Sequence, residues 1–208
     1  MGTANYLERL KKLGVIIDGH FALKCGDHSN LYFNKDAIYA HPVLTDDIAK
    51  YIALAYYNSN IEVVCGPAVG GALLAQAVAR HLTQTYKWLS IECEVLYSHA
   101  DKDGEDFVIK RGYEKLMSGK RVLMVEDVLT KGTSAKAAID AVRKVGGEVV
   151  DLYAICNRGE VTRQDVGLFG EIKIRSLVAI DAETFPADTC PLCTQGIAID
   201  NNIGKGSK

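Results

Sequence analysis

The sequence has no apolar run close to the roughly 20 residues that a membrane-spanning helix needs. The segment from Met1 to Leu10 also lacks the apolar core of a signal peptide. Neither sign of charge dominates, because the formal net charge is −2, and this argues against a general role at nucleic acids or membrane surfaces. We therefore expect a cytoplasmic protein that binds neither nucleic acid nor membrane, in which an anionic substrate would need local basic residues.

The cysteines lack the paired spacing of a complete zinc site. Cys190 and Cys193 have Cys-x-x-Cys spacing, but the chain has no second such pair and no His-x-x-x-His pair, whereas a structural zinc ion takes four ligands. A local structural turn is therefore favoured over zinc at this point. Without a secretion signal we expect reduced, mostly buried thiols. The six cysteines are Cys25, Cys65, Cys93, Cys156, Cys190 and Cys193.

No internal repeat, linker or second domain is visible, so residues 1–208 are predicted to form a single domain. Short apolar runs alternate with helical patterns, including Thr45 to Tyr57, with Thr45 as the N-cap, and Val161 to Phe169. This alternation predicts an α/β fold: an open, mainly parallel sheet of about five strands with helices on both faces.

The most informative stretch runs from Arg121 to Ser134. Val122 to Val125 is typical of a buried parallel strand. The adjacent carboxylates of Glu126 and Asp127 follow, then a loop rich in hydroxyl groups and glycine, then an alanine-rich helical pattern. This order builds an anion site, because the first amides of a helix are unsatisfied and its dipole favours negative charge. A ribose 5-phosphate has the matching shape, with its phosphate in the loop and its hydroxyls on the carboxylates.

Two common phosphate motifs, the Walker A loop and the Gly-x-Gly-x-x-Gly dinucleotide fingerprint, are absent from this stretch. An ordinary strand-to-helix turn would carry the acidic pair only by chance. Val125 to Ser134 instead resembles the phosphoribosyl pyrophosphate (PRPP) signature of the type I phosphoribosyltransferases. The resemblance implies PRPP binding by Glu126, Asp127, Thr130, Lys131, Gly132, Thr133 and Ser134, with Asp127 also catalytic.

A second glycine-rich turn, Gly66 to Gly71, joins the apolar strand Ile61 to Cys65 to another helix. On its own this is a weak indication of an anion site, since many crossovers need glycine at this point. As the partner of the first loop it resembles the pyrophosphate loop of the family, with Gly70 and Gly71 at PRPP. Two separated phosphate sites suit a substrate that is phosphorylated at both ends.

Phe21-x-Leu-Lys-x-Gly-x-x-Ser-x-x-Tyr32 resembles the N-terminal signature of the orotate phosphoribosyltransferases. Read locally, the segment favours a solvated lysine and core aromatic side chains over a binding site. The resemblance implies that Lys24 contacts the pyrophosphate end of PRPP, and that Tyr32 and Phe33 line the orotate pocket with Thr130. It also implies a small hood, built from about residues 15–40 and 181–208.

Arg158 follows the predicted strand Glu148 to Cys156, at the edge where α/β sheets place ligand groups. In the family, the arginine at the matching position binds the carboxylate of orotate. A planar guanidinium suits this role, because it forms two parallel hydrogen bonds with a carboxylate.

Residues 98–112 are polar and predict a surface loop, whose end, Phe107 to Lys110, is expected to close a hairpin. In the family this place holds the mobile loop that closes over PRPP. The resemblance implies a catalytic Lys102 and a homodimer in which the loop reaches the neighbouring subunit. The usual basic pattern of the loop is incomplete here, so Lys110 and Arg111 are alternative sources of its charge.

The reaction implied by the resemblance is orotate plus PRPP giving orotidine 5′-monophosphate and pyrophosphate. The implied cofactor is Mg²⁺, held through PRPP and water with no direct protein ligand. One alternative is a phosphoribosyltransferase for a purine or another pyrimidine base. The other is a PRPP-sensing regulator, which the acidic balance and the lack of spare length disfavour.

Overall fold

The computed structural model describes residues 3–23, 26–201 and 203. Its centre is a six-stranded sheet in the order β5-β4-β3-β6-β7-β8. Five neighbouring strands run parallel, and the edge strand β5 pairs antiparallel with β4. The strands are β3 (Val63–Pro67), β4 (Leu96–Asp103), β5 (Asp106–Val108), β6 (Arg121–Leu129), β7 (Glu148–Asn157) and β8 (Ile174–Ala179). The predicted α/β fold with a mainly parallel sheet is confirmed.

Helices cover both faces of this sheet, which explains why its central strands read as continuous apolar runs. Along β6 the side chains of Val122, Leu123, Met124 and Val125 are buried and enter two separate cores in alternation. The helices are α1 (Thr3–Lys12), α2 (Lys35–Ala40), α3 (Pro42–Ala55), α4 (Gly70–Trp88), α5 (Tyr113–Met117), α6 (Thr133–Lys144) and α7 (Pro191–Thr194). Among the residues that the structure describes, no helix is long and apolar enough to span a bilayer.

A second, three-stranded antiparallel sheet lies in the hood. Its strands are β1 (Ile16–Ala22), β2 (His28–Phe33) and β9 (Thr184–Phe185), with β2 in the middle. A 3₁₀ turn at Ala187–Thr189 and the short helix α7 follow β9. This sheet therefore joins two segments that lie far apart in the sequence.

Two expected helices differ from the structure. The helix expected at Thr45 to Tyr57 begins at Pro42, because proline suits the first helical position and the chain enters the helix from His41. Thr45 lies inside the helix, and its hydroxyl donates a hydrogen bond to the carbonyl of Ile38 at 2.9 Å. The helix expected at Val161 to Phe169 is a series of turns, in which the Asp165 carboxylate accepts hydrogen bonds from Thr162.

The expectation of a surface loop at residues 98–112 is wrong for the first half of this segment. Strand β4 continues through Asp103 and pairs with β3, so that Ser98 and Ala100 are fully buried despite the polar sequence around them. The hairpin with β5 is formed by Asp106–Val108, close to where it was predicted. Strand pairing here outweighs the low apolar content of the local sequence.

Gly66 at the end of β3 lets the sheet and α4 approach closely. A Cβ atom at this position would overlap the carbonyl oxygen of Gly71 and lie 2.7 Å from that of Val125. Both are backbone atoms of the packed centre, so neither has room to move.

We expect Gly66→Ala to lower the free energy of unfolding by about 3 kcal/mol, at the upper end of the cost of overpacking. Gly104→Ala is the matched control: Gly104 has open space around it but a φ of +64°, so the left-handed conformation alone should cost roughly 1–2 kcal/mol. Urea denaturation of both variants measures the difference. Equal losses would show that the close approach at Gly66 is unimportant.

Candidate active site

The acidic pair Glu126 and Asp127 lies buried near the C-terminal end of strand β6, which continues to Leu129. The two residues are only 6% and 3% exposed. One oxygen of each carboxylate accepts a backbone hydrogen bond: Glu126 Oε1 from the amide of Asp127 at 3.0 Å, and Asp127 Oδ1 from the amide of Val128 at 2.8 Å. These local bonds orient both carboxylates from within their own strand.

Burial beside a second carboxylate makes ionisation of Glu126 unfavourable. Burial, and then the charge of Asp127, hold the pKa of Glu126 well above its usual range. Lys35 compensates part of the charge, since its Nζ lies 3.3 Å from Oδ2 of Asp127. Burial, the largest single effect, lowers the pKa of Lys35, but the charge and hydrogen bond of Asp127, together with the nearby charges of Asp36 and Glu126, outweigh it and leave that pKa raised. The site is therefore built to receive further positive charge.

Asp127 Oδ2 is the oxygen that remains available for a ligand. Apart from the ion pair with Lys35, it takes no hydrogen bond of good geometry from the described residues. The hydroxyl of Tyr39 is likewise buried without a hydrogen-bond partner among them. Burial and the charges of Asp127 and Glu126 raise the pKa of Tyr39, so its hydroxyl stays protonated and able to donate.

The loop after β6 forms a cavity of about 580 Å³, which Glu126 of the acidic pair also lines. Gly132 has a φ of +72° and a Cβ atom there would lie 2.8 Å from Val166, so glycine is needed on two counts. Helix α6 begins at the next residue, so its unsatisfied first amides lie at this loop. The cavity is lined by Leu23, Glu126, Val128, Leu129, Thr130, Lys131, Gly132, Thr133, Ser134, Ala135 and Arg158.

The second glycine-rich turn meets the acidic pair from the neighbouring strand. A short turn follows β3, and its Ala68–Val69 peptide bond is cis. Helix α4 begins at the next residue, Gly70. A Cβ atom at Gly70 would overlap Oδ2 of Asp127, so only glycine lets this turn approach the carboxylate. Gly71 is equally confined, since a Cβ atom there would lie 2.7 Å from Pro67. Two helix N-termini thus lie beside one buried acidic pair.

Arg158 lies directly after β7 and connects the large sheet to the hood. Its Nη2 donates to Oγ of Ser29 at 2.9 Å and to the carbonyl of Leu31 at 3.1 Å. The Ser29 hydroxyl in turn donates to the carbonyl of Glu183 at 2.8 Å. Since Arg158 also lines the loop cavity, it connects the loop after β6 with the hood.

The predicted orotate-pocket aromatics occupy different environments. Phe33 is 5% exposed and packs in the main hydrophobic core, so the structure does not place it at the cavity. Tyr32, its neighbour along β2, is half-buried and packs against Phe21 with ring centroids 5.5 Å apart. Strand alternation sends the two side chains to opposite sides of β2. Lys24 lies outside the described residues, although its neighbour Leu23 lines the cavity.

The basic residues of the expected mobile loop do not join the other site residues within this chain. Lys102 is exposed on β4, where it pairs with Phe107 of β5, and Lys110 is exposed after β5. Nε of Arg111 lies 3.4 Å from a carboxylate oxygen of Asp101. None of the three lines the cavity described above.

Sequence reasoning missed Lys35 and Tyr39 on helix α2. Lys35 pairs with Asp127, and the charge of Asp127 helps to raise the pKa of Tyr39, although Asp127 lies about ninety positions later in the chain. No local pattern marks them, because the short α2 sequence is unremarkable without knowledge of its neighbours. Their roles follow only from the packing of α2 beside the end of β6.

Comparison with known proteins agrees with this arrangement. Residues 34–191 match the family model described as a phosphoribosyl transferase domain. An orotate phosphoribosyltransferase from a Thermoanaerobacter species is 35% identical over 199 residues, which cover 96% of each chain. The orotate phosphoribosyltransferase of Thermus thermophilus is 29% identical over 194 residues, covering 93% of this chain and 97% of that protein.

Solved structures share the fold. The crystal structure of Mycobacterium tuberculosis orotate phosphoribosyltransferase in complex with Fe(III) dicitrate has a TM-score of 0.65 at 23% identity, over 86% of this chain and 96% of that chain. Adenine phosphoribosyltransferase from Saccharomyces cerevisiae has a TM-score of 0.60 at 17% identity, over 84% and 99% of the chains. The fold alone therefore does not select the base. The family match and the relatives at 35% identity show that this chain belongs to the phosphoribosyltransferases, within the family of orotate phosphoribosyltransferases.

Proposed function

We propose that the protein transfers the 5-phosphoribosyl group from PRPP to orotate, giving orotidine 5′-monophosphate and pyrophosphate in pyrimidine biosynthesis. The observation that carries the proposal is the buried acidic pair between two glycine-rich helix N-termini. A sugar with vicinal hydroxyls and phosphates at both ends fits this arrangement. The curated relatives that bear the name orotate phosphoribosyltransferase support the choice of base.

The chemistry asks for charge and position rather than a nucleophilic side chain. Displacement at the anomeric carbon places positive charge on the ribose ring while pyrophosphate leaves with negative charge. Asp127 Oδ2, with no well-formed hydrogen bond from the described residues, would accept a ribose hydroxyl and oppose the ring charge. Gly70, Gly71 and the amides of α4 would bind the leaving pyrophosphate, and the loop 130–134 would bind the 5-phosphate.

Mg²⁺ fits this site as a substrate-borne ion. When bound, it would compensate pyrophosphate charge through oxygen ligands of PRPP and water. The buried carboxylate oxygen Asp127 Oδ2 is suited to orient such a water or a sugar hydroxyl. We propose no direct protein ligand for this ion.

Incubation with PRPP, Mg²⁺ and a panel of bases tests the proposal directly. Orotate should be consumed with release of pyrophosphate, while uracil, adenine, guanine and hypoxanthine should not. Preferred consumption of a purine would replace orotate as the acceptor and leave the PRPP site intact. No reaction with any base would reject the proposed activity.

Asp127→Asn should reduce kcat/KM for PRPP while the protein stays folded. Loss of one charged hydrogen bond costs about 1.5–3 kcal/mol, which is roughly a 10- to 150-fold decrease. Steady-state kinetics measure the loss, and thermal unfolding verifies the fold. Asp18→Asn serves as control, because Asp18 is an exposed carboxylate on β1. Wild-type efficiency in folded Asp127→Asn would rule out the assignment.

Arg158→Ala should raise KM for orotate much more than KM for PRPP, because it removes a bidentate partner of the orotate carboxylate. Arg158→Lys keeps the charge without the planar fork and should recover only part of the loss. Ser29→Ala removes a contact of Arg158 with the hood but leaves the guanidinium. If Ser29→Ala and Arg158→Ala have equal effects, Arg158 acts by holding the hood and not by binding orotate.

We further propose a homodimer whose hairpin (residues 98–112) reaches the site of the partner. The exposed charges of Lys102, Lys110 and Arg111 lie away from the cavity of their own chain, which favours a role elsewhere. Near the C-terminal ends of helices α3 and α4, a group of large apolar side chains suited to association is also exposed: Leu54, Tyr57 and Trp88, at 53%, 52% and 83% exposure.

Complementation tests the shared hairpin. Inactive Arg158→Ala and Lys102→Ala chains, unfolded together and refolded, should form mixed dimers in about half of the population. If hairpins cross, each mixed dimer has one intact site, and activity returns to roughly a quarter of wild type on that statistic. Arg158→Ala mixed with Asp127→Asn is the matched control and should recover nothing, because both defects lie in pockets. Mixed dimers without recovered activity would exclude the crossed hairpin.

A further inference from the structure

Four side chains that the proposed reaction does not use converge in the hood: His20, His28, Cys190 and Cys193. His20 lies on β1, His28 on β2, and the cysteines lie just before and within α7. Their potential ligand atoms all lie within 4.8 Å of one another. The expected local turn at Cys190 to Cys193 is present as α7, but the histidines that complete the group come from two other strands.

The distances match a tetrahedral site. Bond lengths of about 2.0–2.1 Å to nitrogen and 2.3 Å to sulfur place tetrahedral ligand atoms roughly 3.3–3.8 Å apart. Cys190 Sγ lies 3.5 Å from Nε2 of His20, and Cys193 Sγ lies 3.7 Å from the same atom. Cys193 Sγ lies 3.3 Å from Nδ1 of His28. The 2.9 Å between His20 Nε2 and His28 Nδ1 is shorter, as a hydrogen bond requires.

The surroundings orient His20 as a ligand. Its Nδ1 lies 2.7 Å from the carbonyl oxygen of Ile197. A carbonyl only accepts, so Nδ1 carries the proton and a neutral ring directs the lone pair of Nε2 into the group. A ring nitrogen that donates to a backbone carbonyl while the other binds metal is the usual arrangement around metal-bound histidine.

Burial indicates a structural ion. His20 and Cys190 are each 1% exposed and His28 is 8% exposed, so three of the four ligands are closed to solvent. Four protein ligands leave no open position for a substrate, and two thiolates cancel the charge of a divalent ion. We propose that His20, His28, Cys190 and Cys193 bind one structural Zn²⁺.

The ion would secure the hood. It joins β1 and β2 to the tail that follows β9, across about 160 residues of sequence. His28 directly precedes Ser29, and His28 and Ser29 both pair with β9. The Ser29 hydroxyl accepts a hydrogen bond from Arg158. The three-stranded sheet is too small to supply a large core of its own, and small units of this kind commonly depend on a metal.

Zinc content is the first test and does not depend on which base the enzyme uses. Wild type purified without chelator or metal-affinity resin should hold one Zn²⁺ per chain by mass spectrometry of the metal. Cys193→Ser should lose at least tenfold in Zn²⁺ affinity, measured by competition with a chromophoric chelator. Cys93→Ser is the matched control, because Cys93 is a free cysteine outside the group, and it should bind as wild type does. Equal affinity in Cys193→Ser and wild type would overturn the proposal.

Titration with Co²⁺ is a second test, and it needs no variant. Reduced, metal-free wild type titrated with Co²⁺ should show thiolate-to-cobalt charge transfer and the intense visible bands of tetrahedral coordination, saturating at one equivalent. Addition of Zn²⁺ should abolish these bands and raise the Tm. A weak octahedral spectrum, or a reduced wild-type protein that binds neither ion, would overturn the site. A Cys190–Cys193 disulfide that resists the reducing agent and prevents metal binding would also overturn the site.

Discussion

The burial of two adjacent carboxylates at the end of β6 is the constraint on which the rest of the site depends. Glu126 and Asp127 sit among apolar side chains where separate negative charges are unfavourable, as the raised pKa of Glu126 reflects. Lys35, the backbone amides of the strand and two helix N-termini all lie nearby. The turn before α4 has glycine at position 70, where any side chain would overlap Asp127.

Such a site is arranged before the substrate arrives. Both carboxylates are held by backbone amides of their own strand, so neither would have to reorganise as positive charge develops on the sugar in the proposed reaction. In the proposed reaction, a cationic ring in the transition state would relieve the unfavourable environment of the free protein. An exposed acidic pair would be solvated by water and would lose most of this advantage.

Local sequence predicted the parts of the fold that are built from neighbours in the chain. The run Val122 to Val125, the loop at Gly132 and the helix after it needed no distant information. The position of Lys35 beside Asp127 and the core position of Phe33 could not be found in this way, because each is fixed by packing between elements. The strand character of Ser98 and Ala100 was hidden for the same reason: pairing with β3 decides it, and their own composition does not. The histidines of the hood escaped notice because each strand contributes one ligand, so no spacing rule describes them.

The hood is built from both halves of the chain, and the order of synthesis gives this a consequence. His28 and Ser29 leave the ribosome early, yet their partners in β9, Phe185 and Thr184, are made more than 150 residues later. Until then β2 has an unpaired edge, which is a hazard for association with other nascent chains. The large sheet needs only residues up to Ala179 and is free to form first. Chain growth therefore separates the two halves of the catalytic cleft in time, and the wall beside Arg158 is completed last.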